Sequence, residues 1–121
     1  MNKYETLQNT NGLELTEYCA NGNTSGAMRL LQNIDCCNLD CKMEFAQPFV
    51  SASCKIMYTP LMFACANNME EVCMKLLSCP DRCGLHHKTM FNVSALSLAN
   101  NQGLAAVSAR IIQCKRDLGK K

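Results

Sequence analysis

The sequence predicts an all-α protein, a stack of about three helix-pair repeats joined by long loops. Three observations lead to that class. The stretch TPLMFACANNMEEVCMKLL, residues 59–77, holds two short helical apolar patterns separated by a break at Asn67-Asn68. The same pattern returns in register at residues 94–112 and 13–31. No apolar run approaches the roughly 18 residues of a membrane span, so the apolar segments must cover one another. At 121 residues the chain makes a single domain, residues 1–121. A domain of that length buries roughly two-thirds of its surface on folding.

The first unit is expected over residues 13–32. Within LELTEYCANGNTSGAMRLL, Leu15, Cys19, Gly22 and Leu30-Leu31 occupy the places of Leu61, Cys65, Asn68 and Leu76-Leu77 in the second unit. Glu17 and Tyr18 stand where the other units have Phe63-Ala64 and Leu98-Ala99, which suits an end unit facing water. Residues 33–58 then form a long, irregular loop.

The second unit covers residues 59–78. Thr59 is a helix-capping residue, and Pro60 at the first helical position loses nothing by lacking an N–H. Leu61, Ala64, Cys65 and Asn68 share one helical face. The Asn67-Asn68 break supplies a left-handed turn, which Asn tolerates better than other non-glycine residues. Val72, Cys73, Leu76 and Leu77 form the second stripe, and Pro80 ends it.

After a loop over residues 79–93, the third unit takes residues 94–114. Ser94 replaces Thr59, Leu96 replaces Leu61, and Val107 replaces Val72, while Gly103 falls at the left-handed turn. The offset is 35 residues (94 − 59) between the second and third units and 46 (59 − 13) between the first and second. A period near 35 marks a stacked repeat, in which each pair buries its apolar face only against its neighbours.

TPLMFACANNMEEVCMKLL resembles the ankyrin repeat, whose units open on a Thr-Pro-Leu-His-x-Ala pattern. The other two stretches resemble weaker copies. The His of that pattern is Met62 here, Ser97 in the third unit and Thr16 in the first, and Met57 and Asn92 stand where a glycine-containing turn precedes each unit. The resemblance implies an ankyrin-like solenoid that binds another protein through its loop tips and the exposed side of each first helix. Carried across, that face comprises Lys55, Ile56, Tyr58, Ala66 and Asn67 in the second unit. In the third it comprises Met90, Phe91, Val93, Asn101 and Gln102. Ile56, Tyr58, Met90 and Phe91 then gather as an exposed apolar group, the usual mark of a partner surface. The opposing reading is that the long first loop folds back and covers them.

Ten cysteines carry the remaining chemistry. Cys19, Cys65 and Cys73 fall in helical patterns and read as small buried apolar residues. The loops hold Cys36, Cys37, Cys41, Cys54, Cys79 and Cys83. In CPDRCGLHH, residues 79–87, Cys79, Cys83, His86 and His87 are candidate zinc ligands, and the other loop could add thiolates. Their spacing matches no common zinc module, so free thiols and no cofactor are expected. A metal- or redox-responsive cysteine module is the alternative function.

Other classes fit poorly. The two histidines are adjacent, no third group orients a Cys–His pair, and no glycine-rich loop cradles phosphate. An enzyme is therefore not expected. The net charge of +2 is too small to imply nucleic acid or an acidic membrane as the partner. The opening MNKYETLQNTNGLEL lacks the apolar centre of a secretory signal. For a complete chain that predicts the cytoplasm, with the nucleus, or the inside of a host cell for a viral or parasite protein, as alternatives. A monomer is expected.

Overall fold

Six α-helices in three consecutive pairs organise the described residues, 3–44 and 56–119, of the computed structural model. The helices are α1 (Lys3–Ala20), α2 (Thr24–Leu31), α3 (Pro60–Ala66), α4 (Glu70–Leu76), α5 (Ala95–Asn101) and α6 (Ala105–Gly119). A 3₁₀ turn, Ile34–Cys36, follows α2. Two short strands, β1 (Met43–Glu44) and β2 (Met57–Tyr58), pair antiparallel, with Met43 opposite Tyr58 and Glu44 opposite Met57. The described residues are therefore all-α apart from one small ladder. No helix among the described residues is long and apolar enough to cross a membrane.

Each pair turns on the same hydrogen-bond pattern. Asn23 N–H donates to Tyr18 O at 2.8 Å, Met69 N–H to Ala64 O at 2.9 Å and Leu104 N–H to Ala99 O at 2.9 Å. Such a bond, closing back over the last helical turn, needs one left-handed residue between the helices. That residue is Gly22 (φ 72°), Asn68 (φ 59°) and Gly103 (φ 72°) in turn. The three positions are those that the sequence alignment superposes.

The helix starts follow from side-chain caps. The Thr59 hydroxyl accepts from Met62 N–H at 3.2 Å, and Pro60 begins α3. Ser94 and Ser97 form a reciprocal capping box at α5. Asn23 Oδ1 accepts from Gly26 N–H at 3.0 Å at the start of α2.

The first helices pack in series, α1 on α3 and α3 on α5, and the second helices do likewise, α2 on α4 and α4 on α6. The core runs through the middle. Leu15, Leu31, Leu61, Val72, Leu76, Leu77, Val107 and Ile111 are all fully buried. Asn67 ties the first two pairs together, its Nδ2 donating to Cys19 O at 2.7 Å and Ala20 O at 3.2 Å.

Two expectations change. The first unit starts well before residue 13, because α1 runs from Lys3. Its opening half carries no apolar stripe and is held instead by amide contacts to the loop after α2. Asn38 N–H donates to Gln8 O at 2.9 Å, Gln8 Nε2 to Asp35 O at 2.9 Å and Asn11 Nδ2 to Cys36 O at 2.9 Å. In the loop expected to be irregular over residues 33–58, residues 33–44 carry the 3₁₀ turn and β1, with Cys37 and Leu39 buried in the core, and residues 45–55 lie outside the described residues.

Candidate functional site

The tip of the loop before α5 is built around Thr89. Its backbone N–H donates to Val93 O at 2.9 Å, and its carbonyl accepts from Asn92 N–H at 2.9 Å. Its hydroxyl accepts from Phe91 N–H at 3.2 Å and Val93 N–H at 3.1 Å. Asn92 takes the left-handed conformation (φ 64°), serving where a glycine would otherwise be required. With Thr89 turned inward and buried, the side chains of Met90 and Phe91 point out, 65% and 57% exposed. These are large apolar groups held on a pinned turn.

The other tip differs. Ile56 and Tyr58 are each only 5% exposed, which corrects the expectation that they stand on an open face. Tyr58 packs against Phe63 with ring centroids 5.2 Å apart and an interplanar angle of 53°. It also pairs with Met43 across the small ladder, so the long loop does return over this tip. Lys55 lies outside the described residues. Ala66 and Val93 are half-buried against the core, while Asn67, Asn101 and Gln102 are exposed. Of the exposed three, Asn67 is committed to the α1 carbonyls.

The described loop cysteines and histidines do not converge. Among the described residues, no group of three or more His, Cys, Asp or Glu side chains is arranged to hold a metal ion. Cys83 is fully buried with its thiol directed at Pro80 O, and burial followed by the neighbouring Cys114 pushes it up to about 12. Zinc takes the thiolate, the form that burial opposes. His87 Nε2 is 2.8 Å from Met57 O, fastening this loop to β2, and His86 is exposed. Cys79 is half-buried. From the other loop, Cys37 is buried with its thiol directed at Leu30 O and Asn33 O, Cys36 and Cys41 are half-buried, and Cys54 lies outside the described residues. Burial raises the Cys37 and Cys41 thiols, with Cys36 and Asp40 adding to the respective shifts.

A cavity of about 400 Å³ opens beside this loop, lined by Asp40, Lys42, Arg82, His86, His87 and Leu118 among others. Its charged groups work as struts. Lys42 Nζ pairs with Asp40 at 2.9 Å. Arg82 reaches out to Asp35 Oδ1 at 2.9 Å and to the carbonyls of Ile34 and Cys37 at 3.3 and 3.2 Å. Arg82 therefore staples the loop after α4 to the loop after α2, a role that no sequence pattern singled out.

The contact between Cys65 and Cys73 was also missed. Their sulfurs lie 3.6 Å apart inside the α3–α4 hairpin. The signal was available, since both positions fall on the inward faces of the paired helical patterns. Comparison of the chain with family models, curated proteins and solved structures finds no match.

Proposed function

We propose that this domain is a non-catalytic protein-interaction module of ankyrin type, docking a partner protein on the tip that displays Met90 and Phe91. The observation that carries this reading is the pinned turn itself. Two large apolar side chains are more than half exposed on a backbone fixed by hydrogen bonds to Thr89. Exposing them to water is unfavourable unless a partner covers them, and a rigid anchor loses little conformational entropy on binding. Asn101 and Gln102, exposed at the end of α5, are polar companions of that anchor in the proposed face. The ankyrin assignment rests on the TPLMFACA start and on three helix pairs whose left-handed turns fall in one register.

Capture of the partner followed by variant binding tests this. Met90→Ala and Phe91→Ala should each weaken capture by about 30-fold, the effect of losing roughly 2 kcal/mol of anchor energy. Lys75→Ala and Arg110→Ala, on the second helices, should leave capture unchanged. Circular dichroism on every variant separates lost binding from lost folding. Capture that survives at the tip and fails on the second helices would move the interface to the opposite face.

A further inference from the structure

Cys65 in α3 and Cys73 in α4 face each other across the helical hairpin, both fully buried, with 3.6 Å between sulfurs. The corresponding pair in the third unit, offset by 35 residues, is Asn100 and Ser108, and there the Ser108 hydroxyl donates to Asn100 Oδ1 at 2.7 Å. The corresponding pair in the first unit is Cys19 and Ala27, both buried. In the second and third units this place in the hairpin brings two side chains into contact. In the central unit both carry sulfur. Three other buried thiols have backbone carbonyls to turn to: Cys37 faces Leu30 O and Asn33 O, Cys83 faces Pro80 O, and Cys114 faces Leu77 O. The buried Cys19 thiol interacts electrostatically with both Cys65 and Cys73 and is the competing partner within the core.

We propose that Cys65 and Cys73 are the site of an intramolecular disulfide that hydrogen peroxide forms during local openings of the α3–α4 hairpin, without unfolding of the whole domain. The backbone on either side is already held, with Met69 N–H bonded to Ala64 O at 2.9 Å across the turn. A disulfide needs the sulfurs about 2.05 Å apart, so they must approach by roughly 1.5 Å. Rotation about the single side-chain torsion of each cysteine, together with a shift of the hairpin, has to supply that approach.

The chemistry balances as follows. One thiol sulfur attacks a peroxide oxygen, the O–O bond breaks, and a sulfenic acid and one water result. The second sulfur attacks the sulfenic sulfur, the S–S bond forms, and the hydroxyl leaves as a second water with the remaining thiol proton. Both sulfurs are oxidised by one electron each, and the peroxide takes both electrons. The hydrogen bond between the two thiols, then burial, raises the Cys65 pKa and slows the first attack. The reaction therefore proceeds through brief openings of the hairpin rather than through the closed state. The bond would cross-link α3 to α4, the pair on which α1, α2, α5 and α6 all pack. The device sits in the core, away from the proposed docking tip, and stands independently of the binding role.

The experiment is treatment of the fully reduced chain with hydrogen peroxide, followed by alkylation of the remaining thiols and peptide mapping. The expected result is a linked peptide joining Cys65 to Cys73. It loses two alkylatable thiols and two hydrogens of mass, and dithiothreitol reverses it. A chain with Cys36→Ser, Cys41→Ser, Cys54→Ser and Cys79→Ser should give the same link with fewer competing products. If that chain does not fold, mapping of the unaltered protein decides alone. Linkage of Cys65 or Cys73 to any other cysteine would overturn the proposal. So would both thiols remaining open to alkylation once Cys36, Cys41 and Cys79 have been fully oxidised.

Discussion

Gly12 of α1 and Asn38 of the following loop meet so closely that a β-carbon on Gly12 would stand 2.6 Å from the Asn38 carbonyl oxygen. A glycine inside a helix normally costs about 0.5–1 kcal/mol relative to alanine. Here it is the residue that lets the loop lie down on the helix. The opposing atom is backbone, not the flexible end of a side chain, so it cannot move aside alone. Gly12→Ala should therefore destabilise the domain by about 1–3 kcal/mol, because the overpacking outweighs the gain in helix propensity. Urea denaturation checks it, and a more stable variant would show that the loop does not dock as described.

Arg82 should matter more than its ion pair. Asp35 is largely solvent-exposed, so the Coulombic part of that contact is screened and small. The bonds to the Ile34 and Cys37 carbonyls are what join the two loops. Arg82→Ala should cost about 1–3 kcal/mol, whereas Asp35→Ala should stay within about 0.5 kcal/mol. Thermal melts of both variants test the split. Equal losses would mean that the ion pair, not the carbonyl fork, holds the loops.

Two aromatics of neighbouring loops should behave as opposites. Tyr58 is buried and packed on Phe63, so Tyr58→Ala should cost about 3–5 kcal/mol and unfold much of the population. Phe91 projects into solvent, so Phe91→Ala should shift stability by less than about 0.5 kcal/mol. Chemical denaturation of the pair checks both at once. A large loss from Phe91→Ala would mean that this side chain is core.

Alkaline pH should weaken the fold. Burial pushes the thiols of Cys19 and Cys83 from 9.0 to about 12. A raised folded pKa contributes stability that is complete below the unfolded value and is lost as pH climbs towards the folded one. The window is therefore pH 9 to 12. Each thiol forfeits about 1.4 kcal/mol per pH unit within it. The urea midpoint should fall steeply from pH 9 upwards, and Cys83→Ala should flatten that slope. A midpoint unchanged to pH 11 would mean that these thiols are hydrated.

The helix pairs were legible because their signals are local. Thr59-Pro60, the left-handed positions 22, 68 and 103, and the burial of Cys19, Cys65 and Cys73 all follow from spacing and turn chemistry. The first half of α1 was not legible. Lys3 to Asn11 lacks an apolar period, and its partners are loop carbonyls and amides 25 to 30 residues away (38 − 8 for the longest). The covered tip was half legible. Ile56 and Tyr58 read as exposed in a repeat with a short loop, but this loop is long enough to come back over them. Long-range cover of that kind leaves no mark on the covered residues themselves. At the third-unit tip, Thr89 turns inward and leaves Met90 and Phe91 outside.

The docking of the loop on α1 also sets an order of events. During synthesis, Gln8, Asn9 and Asn11 leave the ribosome well before Asp35, Cys36 and Asn38, the residues that hold them. An isolated helix of that length is marginal in water, more so with glycine at its centre. The N-terminal half of α1 must therefore wait, frayed, while α2 and the loop are made. It becomes a stable helix only when the chain has doubled back. The first half of α1 is among the later parts of the domain to settle.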